Sequence, residues 1–229
     1  MQLAILKDTL QLFFKALDKG WESGLEPLYE TIPSWQKAWP PASPSTLAET
    51  IELSLSNQQT RGFWQGHAYF PKEVIIQFAS FAPDMTNMAF GRLFNEDVEL
   101  GDRFRGFNYY LDEVLGELRR QDLKKAPATH YHDDCRAPSL YCMCRFPSTH
   151  AYFEHDVYRT ALLVLKAREV DSVVDATRFA KTVKVVNTFV AKDDDFVKSH
   201  LKRLNKSDFL EPAALIASEY FRFLESEIS

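Results

Sequence analysis

The apolar residues between positions 98 and 121 recur at spacings of three and four, which is the period of an amphipathic α-helix. They are Leu100, Phe104, Phe107, Leu111, Val114, Leu115 and Leu118. A stripe of this length must bury one helix face against other elements. With only 8 Gly and 11 Pro among 229 residues, the chain has few turn residues for a fold of many short strands. The sequence therefore predicts a predominantly helical protein.

Shorter stretches predict further helices. Leucines and a phenylalanine recur with helical spacing over 3–17, and Lys19-Gly20 follows as a stop signal. Pro71 and Pro83 each suit the first turn of a helix, and Ser45 is a candidate cap for a helix that follows it. Helical patterns also cover 157–167, 173–190, 196–204 and 209–224, with the acidic triplet 193–195 as a helix start.

One segment departs from the helical pattern. Apolar Leu140, Cys142 and Cys144 alternate with Tyr141 and Met143, a period of two that is typical of a strand. A turn at 147–149 and a second strand complete a predicted antiparallel β-hairpin near 139–155. The predicted fold class is thus α+β, predominantly α-helical with this one small hairpin. We expect a single helical-rich module over 1–229, with 1–60 as a candidate N-terminal helical subdomain.

The same region holds all three cysteines and several histidines. Seven residues could supply metal ligands: His130, His132, Cys135, Cys142, Cys144, His150 and His155. Their spacings match no common zinc pattern, and free cysteine is among the residue types most often buried. We therefore expect Cys142 and Cys144 to be core residues, with no metal and no cofactor. Cys135, which follows two histidines, is the one candidate thiol nucleophile.

The chain carries no nucleotide-binding or hydrolase motif. Neither GxxxxGK[ST] nor GxGxxG is present, and HExxH and GxSxG are missing too. We predict that this chain is not an enzyme. A metal-dependent nuclease that uses His130, His132 and Asp134 is the least favoured alternative. Three cysteines and no apolar run near 20 residues predict a cytoplasmic protein without a membrane partner.

Three stretches together resemble a known family. They are LYETIPSWQKAWPPASPSTLAETI (28–51), YFPKEVIIQFASFAPDMTNMAFGRLF (69–94) and HYHDDCRAPSLYCMCRFPSTHAYF (130–153). They are similar to the N-terminal module that precedes the AAA+ motor in bacterial McrB-like proteins of modification-dependent restriction systems. The residues that match the family motif are Tyr69, Phe70, Pro71, Lys72, His130, Tyr131, Asp133, Arg136, Ala137, Tyr141, Arg145, Phe146 and Pro147. His132, Cys135, Cys142 and Cys144 depart from the family pattern.

The resemblance implies a role in recognition. It implies a non-catalytic specificity module that binds DNA, with a modified duplex as one option. It also implies an AAA+ motor and a nuclease subunit as partners, and the motor is absent from this chain. An alternative from another class is a protein-interaction, assembly or sensor module that makes no contact with DNA.

Basic residues that could contact DNA occur in groups, although the formal net charge is −5. The candidates are Arg119, Arg120, Lys124, Lys125, Arg136, Arg145, Lys181, Lys184, Lys202, Arg203 and Lys206. Contacts with phosphate would make binding salt-dependent. Trp64, Tyr69, Arg136 and Arg145 are candidates for contacts with bases. Solvated helix faces are the alternative interpretation of the basic groups.

Overall fold

A computed structural model describes residues 1–66, 68–121, 124–168, 170, 172–173, 175–204 and 214–227. In these residues the chain forms α-helices joined by turns and short 3-10 segments. The helices are α1 (Leu3–Asp18), α2 (Leu28–Ala38), α3 (Leu47–Ser54), α4 (Pro71–Phe81), α5 (Pro83–Leu93), α6 (Leu100–Gln121), α7 (Arg136–Arg145), α8 (His155–Val164), α9 (Ala176–Val190), α10 (Asp194–Arg203) and α11 (Leu215–Ser226). The described residues include no helix long and apolar enough to cross a membrane.

The helices group into two compact units. The first unit contains residues 1–29 and 146–229, and the second unit contains residues 30–145. The chain thus leaves the first unit after α1, builds the second unit, and returns to complete the first.

The second unit has an aromatic core. Helix α5 packs against α6, and α3 and α5 both pack against α4. Trp35 and Trp39 stack with their ring centroids 5.2 Å apart, as their four-residue spacing predicts. Phe90 lies 5.4 Å from Phe107 and 5.4 Å from Tyr141, so α5, α6 and α7 share this core.

The first unit is built around α11, which contacts α1, α8 and α9. The Phe13 ring of α1 lies 5.6 Å from the Tyr220 ring and 5.5 Å from the Phe223 ring. On α8, Tyr158 packs against Phe179 of α9 with ring centroids 5.2 Å apart. Residues 215–221 are buried at every position, so α11 is the central helix of this unit.

The predicted β-hairpin is wrong, and the protein is all-α. Residues 136–145 form α7, and the described residues contain no strand, only an isolated bridge between Gly66 and Tyr69. Every position from Ala137 to Cys144 is buried. A helix that is covered on all sides has no polar face, so its sequence shows no helical period, and a short apolar run does not distinguish it from a strand.

The ends of this segment explain how the helix forms. The Asp134 carboxylate accepts a hydrogen bond of 3.0 Å from the Arg136 backbone N–H, which gives one orphan donor of the first turn a partner. The predicted turn is present, because Thr149 and His150 both donate to the Phe146 carbonyl. The residues after the turn bond to the α11 region instead of a partner strand, with Ser218 donating to the Tyr152 carbonyl at 2.6 Å.

Most other predicted helix starts are confirmed. Pro71 and Pro83 occupy the first turns of α4 and α5. Asp193 of the acidic triplet caps α10 by accepting from the Phe196 N–H at 2.9 Å. The predicted Ser45 cap is displaced, because Ser43 starts a 3-10 turn at Pro44–Thr46 that leads into α3. The first part of the helix expected over 209–224 lies outside the described residues.

Candidate functional site

Two loops of the second unit meet in a strained backbone region. Three non-glycine residues there have left-handed φ values: Ala68 at 65°, Tyr131 at 61° and Cys135 at 64°. Such conformations are uncommon for residues with a Cβ and tend to cluster at functional sites. Their occurrence in two loops far apart in sequence marks this region as the candidate site.

The loops bring together residues of the family-like motif that are about 60 positions apart. The Tyr131 ring lies edge-on to Tyr69 at 6.0 Å and to Phe70 at 6.1 Å. The Arg136 guanidinium carbon lies 3.9 Å from the centre of the Tyr69 ring, which is a cation–π contact. We call Tyr69, Phe70, Tyr131, Asp134 and Arg136 the motif cluster.

Asp134 holds Arg136 over the tyrosine ring. Its Oδ2 accepts hydrogen bonds from Nε and from the terminal NH2 of Arg136, both at 2.7 Å. The Arg136 and Asp134 side chains remain 39% and 41% exposed. Burial, followed by the Asp134 carboxylate, raises the pKa of the Tyr69 hydroxyl well above its usual value. The cluster therefore presents a planar cation, fixed in place, at the protein surface.

Beneath the cluster lies a buried chain of neutral hydrogen bonds. The His132 N–H donates to Nδ1 of His130, and Nδ1 of His132 bonds to the His130 carbonyl. A carbonyl only accepts, so Nδ1 of His132 carries the proton and its Nε2 accepts from the Tyr141 hydroxyl at 3.1 Å. Burial, followed by the neighbouring His130, lowers the pKa of His132 to about 3. His132 is therefore neutral, and both of its ring nitrogens are in use.

An acidic edge borders the cluster. Nε2 of His130 lies 3.4 Å from Asp112 and 3.6 Å from Asp133, whose side chains are 68% and 71% exposed. Asn108 donates to Asp133 at 3.4 Å. Within the part of the chain that the structure describes, no group of three or more His, Cys, Asp or Glu residues could hold a metal ion. The nuclease alternative thus lacks a metal centre among these residues, and Asp134, which it requires, is bound to Arg136.

Four of the predicted basic residues lie together at the end of α6 and in the loop after it. Arg119, Arg120, Lys124 and Lys125 are all exposed, and we call them the basic segment. Arg119 donates to the Ala128 carbonyl at 2.6 Å, and Arg120 pairs with Glu117 at 2.6 Å. Gln77 of α4 donates to the Lys125 carbonyl at 2.9 Å.

Helix α4 relates the basic segment to the motif cluster. It begins at Pro71, directly after Phe70, and Gln77 lies six residues further on. At 1.5 Å per residue this separation is about 9 Å along the helix axis. Both groups therefore belong to one region of the second unit.

Most of the remaining predicted basic residues belong to the first unit. Lys181 and Lys184 are exposed on α9, and Lys202 is exposed on α10, all in the first unit. Arg203 of the same unit forms an ion pair with the buried carboxylate of Glu219 at 3.1 Å. Its guanidinium is therefore engaged with a core residue. Arg145 ends α7 in the second unit, and Lys206 lies outside the described residues. Pro147 of the family motif lies in the first unit. Trp64 is only 2% exposed and is a core residue.

The three thiols are buried. Cys142 and Cys144 are core residues, as expected, although they belong to a helix and not to a strand. Burial raises the pKa of Cys142 to about 12, and burial with the Asp134 and Asp133 carboxylates raises that of Cys135 to about 12. A thiolate is the reactive form, so these surroundings do not favour Cys135 as a nucleophile.

A second polar group, in the first unit, has no counterpart in the sequence motifs. Glu219 is fully buried and accepts from Tyr29 at 2.9 Å and from Ser23 at 3.0 Å, in addition to its pair with Arg203. His200 lies next to it and contacts the Tyr29 hydroxyl at 3.2 Å. The partners are up to about 200 positions apart, so no local spacing could have revealed them.

Comparisons of this chain with protein-family models, with curated proteins and with solved structures find no match.

Proposed function

We propose that this chain is a cytoplasmic, non-catalytic recognition module of a McrB-like system that binds DNA through its second unit. The observation that carries the proposal is the pair of Arg136 and Tyr69 just before α4, since Gln77 of the same helix contacts the basic segment about 9 Å further along the axis. An AAA+ motor and a nuclease subunit are the partners that the proposal implies. A modified base remains one option for what the module reads.

The two groups suit different parts of a nucleic acid. Exposed Lys and Arg residues of the basic segment can neutralise phosphates and release counterions. An arginine held flat against an aromatic ring presents a planar donor surface that suits a base edge or a stacked base. The basic segment would set the position of the strand, and the motif cluster would contact its bases.

The acidic edge constrains the orientation. Exposed carboxylates of Asp112 and Asp133 would repel phosphates close to the motif cluster. The backbone of a bound strand must therefore follow the basic segment and turn its bases towards Arg136. Carboxylates can accept hydrogen bonds from the amino groups of bases, so the acidic edge is compatible with base contacts.

The experiment is a fluorescence-anisotropy titration with labelled duplex and single-stranded DNA, unmodified and methylated, at low salt. The test variant replaces Arg119, Arg120, Lys124 and Lys125 with Gln. The matched control replaces four exposed lysines of the first unit with Gln: Lys181, Lys184, Lys198 and Lys202. We expect the test variant to lose most affinity and the control to keep it. Equal losses in both variants would contradict the assignment to the second unit.

A protein-interaction module is the second candidate. Acidic residues outnumber basic ones in each unit, which weakens long-range attraction to DNA. Tyr109 is 61% exposed and lies one helical turn before Asp112, so this part of α6 offers an aromatic and acidic surface for a basic partner segment. Failure of every DNA probe to bind at low salt would favour this candidate.

A further inference from the structure

The first unit contains a cavity of about 340 Å³ where the end of α1 faces α10. This volume lies within the range of sites for small ligands. The cavity belongs to the unit that takes no part in the proposed DNA contacts, so its role is a separate question.

One wall of the cavity is apolar. Phe196 and Leu17 line it, and both are core residues. Phe196 stacks on Phe14 with ring centroids 3.6 Å apart and an interplanar angle of 14°. The stack holds Phe196 in place, so the cavity is lined on this side by fixed apolar side chains that an apolar or aromatic group can contact.

Charged residues of both signs also line the cavity. Ser199 donates to the Asp18 carboxylate at 3.2 Å, which ties the end of α1 to α10. Lys202 lies three residues after Ser199 on α10, so the two share a helix face. An anion and a cation therefore both line the cavity, with Asp18 at the Ser199 hydroxyl and Lys202 about one helical turn further along α10.

The floor of the cavity is a set of oriented hydrogen bonds. Arg203 donates to Nδ1 of His200 at 3.3 Å, so the neutral ring carries its proton on Nε2 and donates to the Tyr29 hydroxyl. The Tyr29 hydroxyl in turn donates to Glu219 at 2.9 Å. Burial, followed by the Arg203 charge, lowers the pKa of His200 to about 3, so this ring adds no charge to the cavity.

Arg203 also contributes little net charge to the cavity. Its guanidinium lies 3.1 Å from Glu219 and 3.4 Å from Glu26, and these carboxylates offset its charge from behind the wall. The charges left on the cavity wall are Asp18 and Lys202. Both side chains are exposed, so both can turn towards a ligand.

We propose that this cavity binds a small zwitterion, namely an α-amino acid with an apolar side chain. Asp18 would accept hydrogen bonds from the ammonium group, Lys202 would pair with the carboxylate, and the side chain would pack on Phe196 and Leu17. An α-amino acid carries both an ammonium and a carboxylate, so it offers an oppositely charged partner to each of the two charges that line the cavity. A ligand with a single charge would leave one of these wall charges without its partner.

The test uses isothermal titration calorimetry of the full chain with three probes of equal ring size. L-Phenylalanine carries both charges, 3-phenylpropionate lacks the ammonium group, and phenethylamine lacks the carboxylate. We expect phenylalanine to bind at least about ten-fold more tightly than either other probe, the factor that one charge-assisted hydrogen bond supplies. Absence of phenylalanine binding up to about 10 mM, or equal binding of all three probes, would overturn the proposal.

Substitutions of the two exposed charged residues test which of them binds the ammonium group of the ligand and which binds its carboxylate. Asp18→Asn should weaken phenylalanine binding about ten-fold and leave phenylpropionate binding unchanged, because only the bond to the ammonium group is weakened. Lys202→Gln should weaken phenylalanine by a similar factor of about ten and leave phenethylamine unchanged. Lys198→Gln, on the same helix but outside the cavity lining, is the matched control and should bind like the wild type. If Asp18→Asn and Lys202→Gln also bind phenylalanine like the wild type, the proposed site is wrong.

Discussion

Each unit contains a buried polar network, and the two networks differ in charge. In the first unit, Glu219 and Arg203 form an ion pair at 3.1 Å, with Tyr29 and His200 bound to it. In the second unit, His132 is neutral and bonds only to a backbone carbonyl and to the neutral Tyr141 hydroxyl. Of these two networks, only the first takes charges out of water.

This difference determines what each network does for the protein. A buried ion pair costs desolvation energy for both ions and stabilises the fold only while both partners are present. A neutral network costs less desolvation energy, and losing one of its hydrogen bonds destabilises the fold less. The neutral network lies under the motif cluster, where it fixes the loop from His130 to Arg136. The ionic network lies under the cavity of the first unit and anchors α10 to α11.

The largest expected effect comes from removing the buried carboxylate. Glu219→Ala leaves Arg203 without its fully buried partner, and we expect the free energy of unfolding to fall by about 3–5 kcal/mol. Glu219→Gln is the matched control, because the amide oxygen can still accept from Tyr29 or from Ser23 and the side-chain volume is kept; it should lose less. Urea unfolding followed by circular dichroism measures both. A loss below about 1 kcal/mol for the alanine variant would contradict the ionic description of the first unit.

Acid should destabilise the second unit more than the first. His132 and His200 both have a pKa lowered from 6.5 to about 3. Between these values the unfolded chain binds protons that the folded chain does not, so stability falls as the pH falls, by about 2 kcal/mol per histidine at pH 5. In the first unit the raised pKa of Glu219 works in the opposite direction, because the folded state then holds that proton more tightly.

Unfolding at pH 7 and pH 5 tests this difference. Trp21 reports on the first unit, and Trp35, Trp39 and Trp64 report on the second. His132→Gln should flatten the pH dependence of the second unit, and His200→Gln that of the first. If neither substitution changes the slope between pH 7 and pH 5, the histidines are not the groups that titrate.

Removing one hydroxyl from each network compares them directly. Tyr29→Phe takes a donor from the charged Glu219, and we expect a loss of about 2 kcal/mol. Tyr141→Phe takes a donor from the neutral His132, with an expected loss of about 1 kcal/mol. The measurement is the midpoint of urea unfolding at pH 7. A larger loss for Tyr141→Phe would reverse the proposed order.

The smallest effect concerns the surface pair of the motif cluster. Arg136→Lys keeps the charge but loses the planar contact with Tyr69 and the forked bond to Asp134. For a side chain 39% exposed we expect a loss of about 0.5–1 kcal/mol, seen as a small decrease in Tm. Arg120→Lys, which changes an exposed pair without a ring, should leave Tm unchanged. Equal Tm shifts in the two variants would show that the stacking contributes nothing to stability.

Much of the fold could be predicted from local patterns. The helix over 98–121 and those that start at Pro71 and Pro83 have apolar stripes on one face and clear start signals, and α6, α4 and α5 confirm them. The error at 139–155 has a physical origin. Helix α7 is buried on all sides. The alternation of residue types in its sequence therefore does not mark one side that faces the core and another that faces solvent.

The candidate site could be predicted only in part. The matched motif named Tyr69 and Arg136, but their stacking depends on how the loops around Ala68 and Tyr131 fold together. The sequence shows which residues are basic, but it could not show that Arg203 faces Glu219. Partners separated by long stretches of chain meet through tertiary packing, which single-sequence periodicity does not encode.

The salt dependence of DNA binding tests the proposed function most directly. We expect the wild-type chain to bind DNA with an affinity that falls as salt increases. We also expect replacement of the four basic-segment residues by Gln to reduce the log–log slope by about 3 to 4, since each phosphate that is no longer neutralised lowers the slope by about 0.9. The first-unit control variant should keep the wild-type slope. Absence of binding at low salt, or an unchanged slope in the basic-segment variant, would contradict the account.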